Sequence, residues 1–341
     1  MIKLHRTKPY VILCYEALFR RLKEKYRNNN VINQDYWNYL AGYRGEQTVD
    51  YKLSTYPQKR FFEYQSLRLK VNHNFFQIDS LLLSSKFILI IEAKNMKGEL
   101  NYNSDSGHLT QTYKNVEKGY QSPILQANSQ EMQLSYWLQQ VISVYGIPIE
   151  SLVIVSDPST IIKNNQNDPT FYNKMIYADN LIPKIKEMTI KYTKNVLNKN
   201  ILYSINDAFL KYNTPLKPKL LDYYNINENH LIKGIQCENC GSYPMKRMYK
   251  TWKCDKCFYA DPTAHVRLIL DYFLLHNATI TNSECRNLLQ IDSGKTAYTI
   301  LNSMNLTQTG KNKARKYYAP KLELFPQDSF VPNKKKTILQ L

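Results

Sequence analysis

Two acidic residues and a lysine stand out in the sequence because their spacing could bring them to one point. Asp79 lies in the apolar run 75–83, and Glu92 and Lys94 end the next run, 86–94. Side chains alternate along a β-strand, so Glu92 and Lys94 point to one face. Asp79 lies on the preceding strand, and if the two strands pair antiparallel its side chain can reach the same point. Charges at the end of a buried strand are costly unless they pair or hold a metal. The pattern predicts either a cation site or a salt bridge between Lys94 and one carboxylate.

Four of the six cysteines form two C-x-x-C pairs with thirteen residues between them, namely Cys237, Cys240, Cys254 and Cys257. Two such pairs across a short hairpin place four thiolates tetrahedrally, and Gly241 follows the first pair where a left-handed turn is needed. In a reducing cytosol disulfides are the weaker interpretation. The spacing predicts one structural Zn²⁺ with no open position for catalysis. Cys14 and Cys285 stand alone, and we expect both to be buried.

Basic residues are concentrated in the last third of the 341-residue chain. The formal net charge is +18, and half of it falls in residues 231–341, where 17 Lys and Arg stand against 8 Asp and Glu. Cations interleaved with aromatic rings are typical of nucleic-acid-binding surfaces, although a solvated charged surface is an equally good explanation. The candidate nucleic-acid-binding residues are Lys246, Arg247, Lys250, Lys253, Lys295, Lys311, Lys313 and Arg315.

Composition and hydropathy exclude some classes of protein. With 43% apolar residues the chain can build cores, which excludes disorder as its main state. No run approaches the ~18 apolar residues of a membrane span. The apolar patch 11–13 is followed by Glu16 and Arg20 before a signal-peptide core could form. We therefore expect a cytoplasmic protein of two or three domains that does not contact membranes.

The order of apolar runs and breaks predicts an α/β fold from residue 41 onward. The unbroken run 87–91 indicates a strand covered on both faces, and Ser122 and Pro123 indicate the start of a helix. The predicted elements are a helix 45–52, strands 62–69, 75–83 and 86–93, a hairpin 98–113, a helix 123–144 and a strand 151–155.

Four linked motifs carry a resemblance to a known family. They are Gly45-Glu46, Phe76-Gln77-Ile78-Asp79, Ile91-Glu92-Ala93-Lys94 and Ser122-Pro123-Ile124-Leu125-Gln126-Ala127. In order and spacing they resemble the nuclease-related domain family, part of the restriction-endonuclease-like PD-(D/E)XK phosphodiesterases. The resemblance covers about residues 41–190. It departs from the family at Leu109, where an aromatic residue is common, and that position is structural.

The resemblance implies a role for each residue of the motifs. Asp79 and Glu92 match the metal site, Lys94 the catalytic lysine, Glu46 an auxiliary acid and Gln126 a supporting polar residue. For Glu46 the alternative is a charge that complements a helix N-terminus, and for Gln126 it is an exposed helix residue. The expected ion is Mg²⁺ or Mn²⁺, because Mg²⁺ takes oxygen ligands, among them one or two protein carboxylates. Such an ion activates water and polarises a phosphoryl oxygen, while the lysine offsets developing charge.

The C-terminal part resembles a winged helix-turn-helix in pattern. Thr281 is a plausible N-cap with Glu284 three residues on, the segment 293–302 would be the recognition helix, and 311–316 would be the wing. A helical bundle that binds another protein is an equal alternative. The chain is thus divided into a helical segment 1–40, a nuclease-related domain 41–195, a connecting segment 196–234, a zinc ribbon 235–262, a winged-helix-like domain 263–320 and a polar tail 321–341.

These observations predict a restriction-endonuclease-like mixed sheet flanked by helices, with a small zinc ribbon and a winged-helix-like domain. The predicted function is metal-dependent hydrolysis of phosphodiester bonds, with DNA favoured as substrate and the C-terminal modules aiding binding. One alternative is a non-catalytic nucleic-acid-binding protein on a nuclease-like scaffold. Another, a zinc-dependent transcriptional regulator, leaves the Glu-x-Lys strand unexplained.

Overall fold

The computed structural model describes residues 1–56 and 60–328. Its strands are β1 (Ile2–Leu4), β2 (Phe62–Val71), β3 (Asn74–Leu83), β4 (Ile88–Lys94), β5 (Glu99–Asn103), β6 (His108–Tyr113), β7 (Val116–Tyr120), β8 (Ile149–Val155), β9 (Ile161–Asn164), β10 (Met175–Tyr177), β11 (Lys246–Arg247), β12 (Trp252–Lys253), β13 (Ala260–Asp261), β14 (Thr279–Thr281), β15 (Gln308–Thr309) and β16 (Lys316–Tyr318). Its helices are α1 (Tyr10–Arg21), α2 (Glu24–Arg27), α3 (Asn30–Ser54), α4 (Pro123–Ile142), α5 (Pro169–Lys174), α6 (Leu181–Lys191), α7 (Lys199–Tyr212), α8 (Leu220–Tyr223), α9 (His265–Leu275), α10 (Asn282–Leu289) and α11 (Gly294–Ser303). Of the predicted polar tail, residues 329–341 lie outside the described part.

The chain forms two compact units that alternate along the sequence. The first unit combines Met1–Arg6 with Asn38–Pro215, and the second combines Thr7–Trp37 with the described chain from Leu216 onward. The proposed boundary between residues 195 and 196 falls between α6 and α7. Helix α7 packs its apolar face, including Ile205 and Phe209, into the core of the first unit.

The first unit is built on a mixed sheet in the order β1-β2-β3-β4-β8-β10. Strand β4 lies inside this sheet, antiparallel to β3 and parallel to β8. Its residues 88–91 are fully buried because apolar layers cover both faces: one layer includes Trp137 of α4, and the other includes Val49 of α3 and Ile185 of α6. The predicted mixed sheet flanked by helices is therefore confirmed.

Four strands of the first unit were not predicted, namely β1, β7, β9 and β10. Strand β1 is three half-buried residues and pairs in parallel with β2, so it lies in what was interpreted as a wholly helical N-terminal segment. Strand β7 extends the predicted hairpin β5–β6, and all of its residues are exposed. Neither β1 nor β7 has the buried alternation by which a strand is recognised in a sequence. Helix α3 is also longer than the predicted helix 45–52.

The second unit contains the cysteine module and the C-terminal helices. Strands β11, β12 and β13 form a small sheet around the cysteines. The following elements run helix, strand, helix, helix, strand, strand, from α9 to β16, with the sheet order β14-β16-β15. This is the order of a winged helix, as predicted. Thr281 and Glu284 form the expected capping box of α10, and Ser293 caps α11.

Candidate functional site

Asp79 lies where the main-chain hydrogen bonding of β3 is interrupted toward both neighbouring strands, β4 and β2. Pairing with β4 runs only to Ser80 opposite Ile91, and the N–H of Ala93 donates instead to Oδ2 of Asp79, at 2.9 Å. On the other side Ser66 of β2 has a left-handed backbone, with φ of 58°. The carboxylate of Asp79 thus takes the place of a main-chain acceptor beside the end of β4.

Glu92 is the buried centre of a hydrogen-bonded group. Its side chain is 4% exposed, and its Oε1 accepts from Nζ of Lys94 and from Nε2 of Gln126, both at 2.7 Å. The amine of Lys94 also donates to Oε1 of Gln126, at 2.9 Å. The predicted shared face of Glu92 and Lys94 is present, and so is the salt bridge of the alternative interpretation.

Helix α4 supplies two glutamines to this group. Ser122 accepts from the N–H of Leu125 and Pro123 is the first residue, as the sequence indicated. Gln126 is half-buried and hydrogen-bonded within this group, so its explanation as an exposed helix residue is wrong. Gln130, four residues on, was missed, although this spacing places both amides on one helix face.

The amide of Gln130 has a fixed orientation. Its Nε2 donates to Oε2 of Glu92 at 2.8 Å and to the carbonyl of Gln77 at 2.9 Å. Turning the amide over would place its oxygen against these two acceptors. Its Oε1 is buried and has no hydrogen-bond partner in the described part of the chain.

Glu46 reaches the site from α3, which passes close to the end of β4 at Gly45. A Cβ at Gly45 would lie 2.7 Å from Cβ of Asn95 and 2.9 Å from Oγ of Ser156, so only glycine allows this approach. The helix begins at Asn30, so Glu46 is far from the helix N-terminus and the charge–dipole explanation is wrong. Its carboxylate accepts from the guanidinium of Arg6.

Electrostatics at the site favour a cation. Burial, followed by repulsion from Glu92 and Glu46, raises the pKa of Asp79 well above its ordinary value. Burial also raises the pKa of Glu46, and the charge of Arg6 offsets this only in part. A divalent cation would relieve the same repulsion. Carboxylate oxygens are the ligands Mg²⁺ prefers, so the donor set fits that ion.

The number of carboxylates at the site also fits Mg²⁺. Among the described residues, the cysteine cluster is the only group of three or more candidate ligands whose donor atoms all lie within 4.8 Å of one another. Glu46 therefore does not complete a three-carboxylate cage with Asp79 and Glu92. Two carboxylates remain, which is what Mg²⁺ commonly takes from a protein.

The four cysteines converge as their spacing predicted. The Sγ atoms of Cys237 and Cys257 are 3.6 Å apart, and those of Cys240 and Cys254 are 3.5 Å apart. Tetrahedral Zn–S bonds of about 2.3 Å would separate sulfurs by roughly 3.8 Å. A hydrogen bond with the hydroxyl of Ser242 lowers the pKa of Cys254 to about 6, which favours the thiolate that zinc requires. The cluster is positioned to bind one zinc ion, and Cys14 and Cys285 are buried as expected.

The candidate nucleic-acid-binding residues are on the surface of the second unit. Arg247 and Arg315 are half-buried, and the six lysines are exposed. Lys246 and Lys253 are opposite each other on β11 and β12, and Lys246 forms an ion pair with Asp255. Lys253 and Arg315 lie over the rings of Phe258 and Tyr298.

Comparison with known proteins agrees with the fold of the first unit. The family model of the nuclease-related domain matches residues 41–156. The matched segment includes all four motifs that carried the resemblance, and ends before the expected limit near residue 190. Among curated proteins and solved structures, none matches the chain. Within the described residues, no helix is long and apolar enough to cross a membrane.

Proposed function

We propose that the protein is a metal-dependent nuclease that hydrolyses phosphodiester bonds, with DNA as its substrate. The observation that carries this proposal is the group formed by Asp79, Glu92, Lys94 and Gln126 within a nuclease-related domain. Asp79 and Glu92 would hold Mg²⁺ or Mn²⁺. A bound ion of this kind polarises a phosphoryl oxygen and lowers the pKa of the attacking water.

The remaining groups have roles that follow from their contacts. Lys94 donates to Glu92 and Gln126, and an ammonium has three N–H bonds, so one is left for the water or for a phosphoryl oxygen. Its charge offsets the negative charge that develops in the transition state. Gln126 and Gln130 hold Glu92 in place. Glu46 lies beside this group as an auxiliary acid.

Cleavage assays with matched variants test the proposal. The wild-type protein should cleave plasmid or oligonucleotide DNA with Mg²⁺ or Mn²⁺, and Asp79→Ala and Glu92→Ala should each abolish cleavage while DNA binding survives. Lys94→Ala should lower the rate with metal affinity nearly intact, because an ammonium cannot ligate the ion. Gln126→Ala should lower the cleavage rate less than any of these changes, since a neutral amide only positions other groups. Lys97→Ala, an exposed lysine three residues on, is the control.

The opposite result would favour the scaffold alternative. The ion pair of Glu92 with Lys94 is the specific observation behind that alternative. If the wild-type protein cleaves no single- or double-stranded DNA or RNA with either ion, and the variants lose only stability, the group is a structural salt bridge.

We also propose that the zinc ribbon and the winged helix bind the DNA backbone. Exposed lysines on both modules support this, because each phosphate contact releases counterions and makes affinity depend on salt. Replacing Lys311 and Lys313 with glutamine should weaken binding and reduce the slope of log affinity against log salt by up to about 2. An unchanged slope would assign the wing to another partner. Lys199→Gln on α7 is an exposed control in the first unit.

A further inference from the structure

Arg6 is a buried arginine of the first unit that lies outside the matched segment 41–156. Its side chain is 3% exposed. It follows β1, which pairs with β2, and its main-chain N–H donates to Oε1 of Gln65 at 2.6 Å. The first residues of the chain are thus held against the sheet at the level of Asp79.

The guanidinium of Arg6 contacts three elements of the candidate site at once. Its Nε donates to Asp50 of α3 at 2.6 Å, and its Nη2 donates to the carbonyl of Asp79 at 2.7 Å. Its Nη1 donates to Glu46, and to Oγ of Ser66 at 3.0 Å. An arginine has five N–H donors in a rigid fork, so these contacts fix α3, β2 and β3 relative to one another.

Charge gives this contact a second consequence. Four carboxylates lie in this region, from Glu46, Asp50, Asp79 and Glu92, and we call them the acid cluster. Arg6 and Lys94 supply two positive charges. When all four carboxylates are ionised the net charge is −2, which one divalent cation would neutralise. Arg6 is bonded to Glu46 and Asp50 and offsets one of their two charges, and Lys94 offsets one of the two charges of Asp79 and Glu92.

We propose that Arg6 is a positioning residue of this active site, which fixes Glu46 and the main chain of Asp79 and withholds Glu46 from the metal ion. This inference rests on the proposed nuclease function. It adds a site residue that follows the N-terminal strand β1 and precedes Glu46 by 40 residues. A merely structural arginine would stabilise the unit without changing how the acid cluster binds a cation.

The test compares Mn²⁺ binding, cleavage and thermal unfolding in full-length variants, with Mn²⁺ affinity measured by electron paramagnetic resonance. Arg6→Gln frees Glu46 and removes a cation from the acid cluster, so Mn²⁺ should bind about threefold more tightly or better. The same variant should lose about 100-fold in kcat, since misplaced groups cost that much. Lys3→Gln changes β1 without contacting the acid cluster and should match the wild type.

Two further variants make the test decisive. Arg6→Gln combined with Glu46→Gln should return Mn²⁺ affinity to that of the wild type, because the released carboxylate is gone. Arg6→Lys keeps the charge and loses the fork, so Mn²⁺ affinity should stay unchanged while kcat falls about tenfold. If Arg6→Gln fails to fold, the kcat of Arg6→Lys decides whether Arg6 is a positioning residue.

Each contrary result would overturn either the positioning role of Arg6 or the nuclease proposal. Wild-type kcat in Arg6→Lys, or weaker Mn²⁺ binding in Arg6→Gln in proportion to lost stability, would overturn the positioning role. Unchanged Mn²⁺ affinity and kcat in Arg6→Gln would do the same. If the wild-type protein binds Mn²⁺ but cleaves nothing, the nuclease proposal fails, and the Mn²⁺ comparison alone decides whether Arg6 withholds Glu46.

Discussion

Helix α3 carries two glycines that should respond in opposite ways to replacement by alanine. Alanine favours a helix over glycine by roughly 0.5–1 kcal/mol, and this gain applies at both positions. At Gly42, which is exposed, a Cβ meets nothing within 4 Å, so Gly42→Ala should stabilise the first unit by that amount. At Gly45 a Cβ would lie 2.7 Å from Asn95 and 2.9 Å from Ser156.

The difference between the two variants isolates the close approach of α3. Overpacking of this kind costs about 1–3 kcal/mol. Because the helix gain is common to both variants, Gly45→Ala should be less stable than Gly42→Ala by about 1–3 kcal/mol. For a domain of this size each kcal/mol corresponds to about 2–4 °C in Tm, so calorimetry of the three proteins would resolve the difference. Glu46 follows Gly45 directly, so Gly45→Ala should also slow cleavage. Equal stability of the two variants would refute the tight contact of α3 with the ends of β4 and β8.

Three further predictions concern the metal centre, a buried histidine and the second glutamine. Metal analysis of protein purified without chelator should find one zinc per chain, and Cys254→Ser should lose it and unfold the ribbon locally, because the thiolate cluster needs all four sulfurs. Burial, aided by Arg247, lowers the pKa of His265 to about 4, and its Nδ1 accepts from Nε1 of Trp252 at 3.1 Å. As the pH falls, the histidine of the unfolded chain therefore binds a proton before His265 of the folded protein does. The free energy of unfolding should fall by at most about 3 kcal/mol as the pH drops from about 6.5 to 4. His265→Gln should remove this part of the pH dependence of unfolding. Gln130→Leu leaves an oxygen of Glu92 without its donor and should cost about 1–3 kcal/mol in denaturant unfolding together with lower cleavage, whereas full activity would show that Gln126 holds Glu92 alone.

Local patterns predicted much of the first unit. The alternation of side chains placed Glu92 and Lys94 on one face, and the apolar run before them indicated a strand covered on both sides, as β4 is. Helix starts were readable because their signals are local: Ser122 caps α4 and Thr281 caps α10. Gln130 was also readable in principle, since it stands one turn after Gln126.

Long-range contacts could not be read in the same way. Arg6 is 40 residues from Glu46 and 73 from Asp79, and no spacing rule connects an arginine after a three-residue strand to carboxylates on another helix. The charge composition gives no signal either, because Arg6 counts toward the excess of basic residues although it is buried among acidic ones. The close approach at Gly45 likewise depends on where Asn95 and Ser156 lie in three dimensions.

The alternation of the chain between two units affects the order in which they can fold during synthesis. Helix α1 buries Ile12, Leu13 and Leu18 and packs against α9 within the second unit. Helix α9 begins at His265, about 240 residues after α1 ends. At ~5–20 residues per second the ribosome needs roughly ten to fifty seconds for that stretch. During that time the whole first unit emerges and can fold, while the apolar face of α1 lacks its partner helix. The apolar face of α1 is therefore exposed on the nascent chain until α9 has been synthesised.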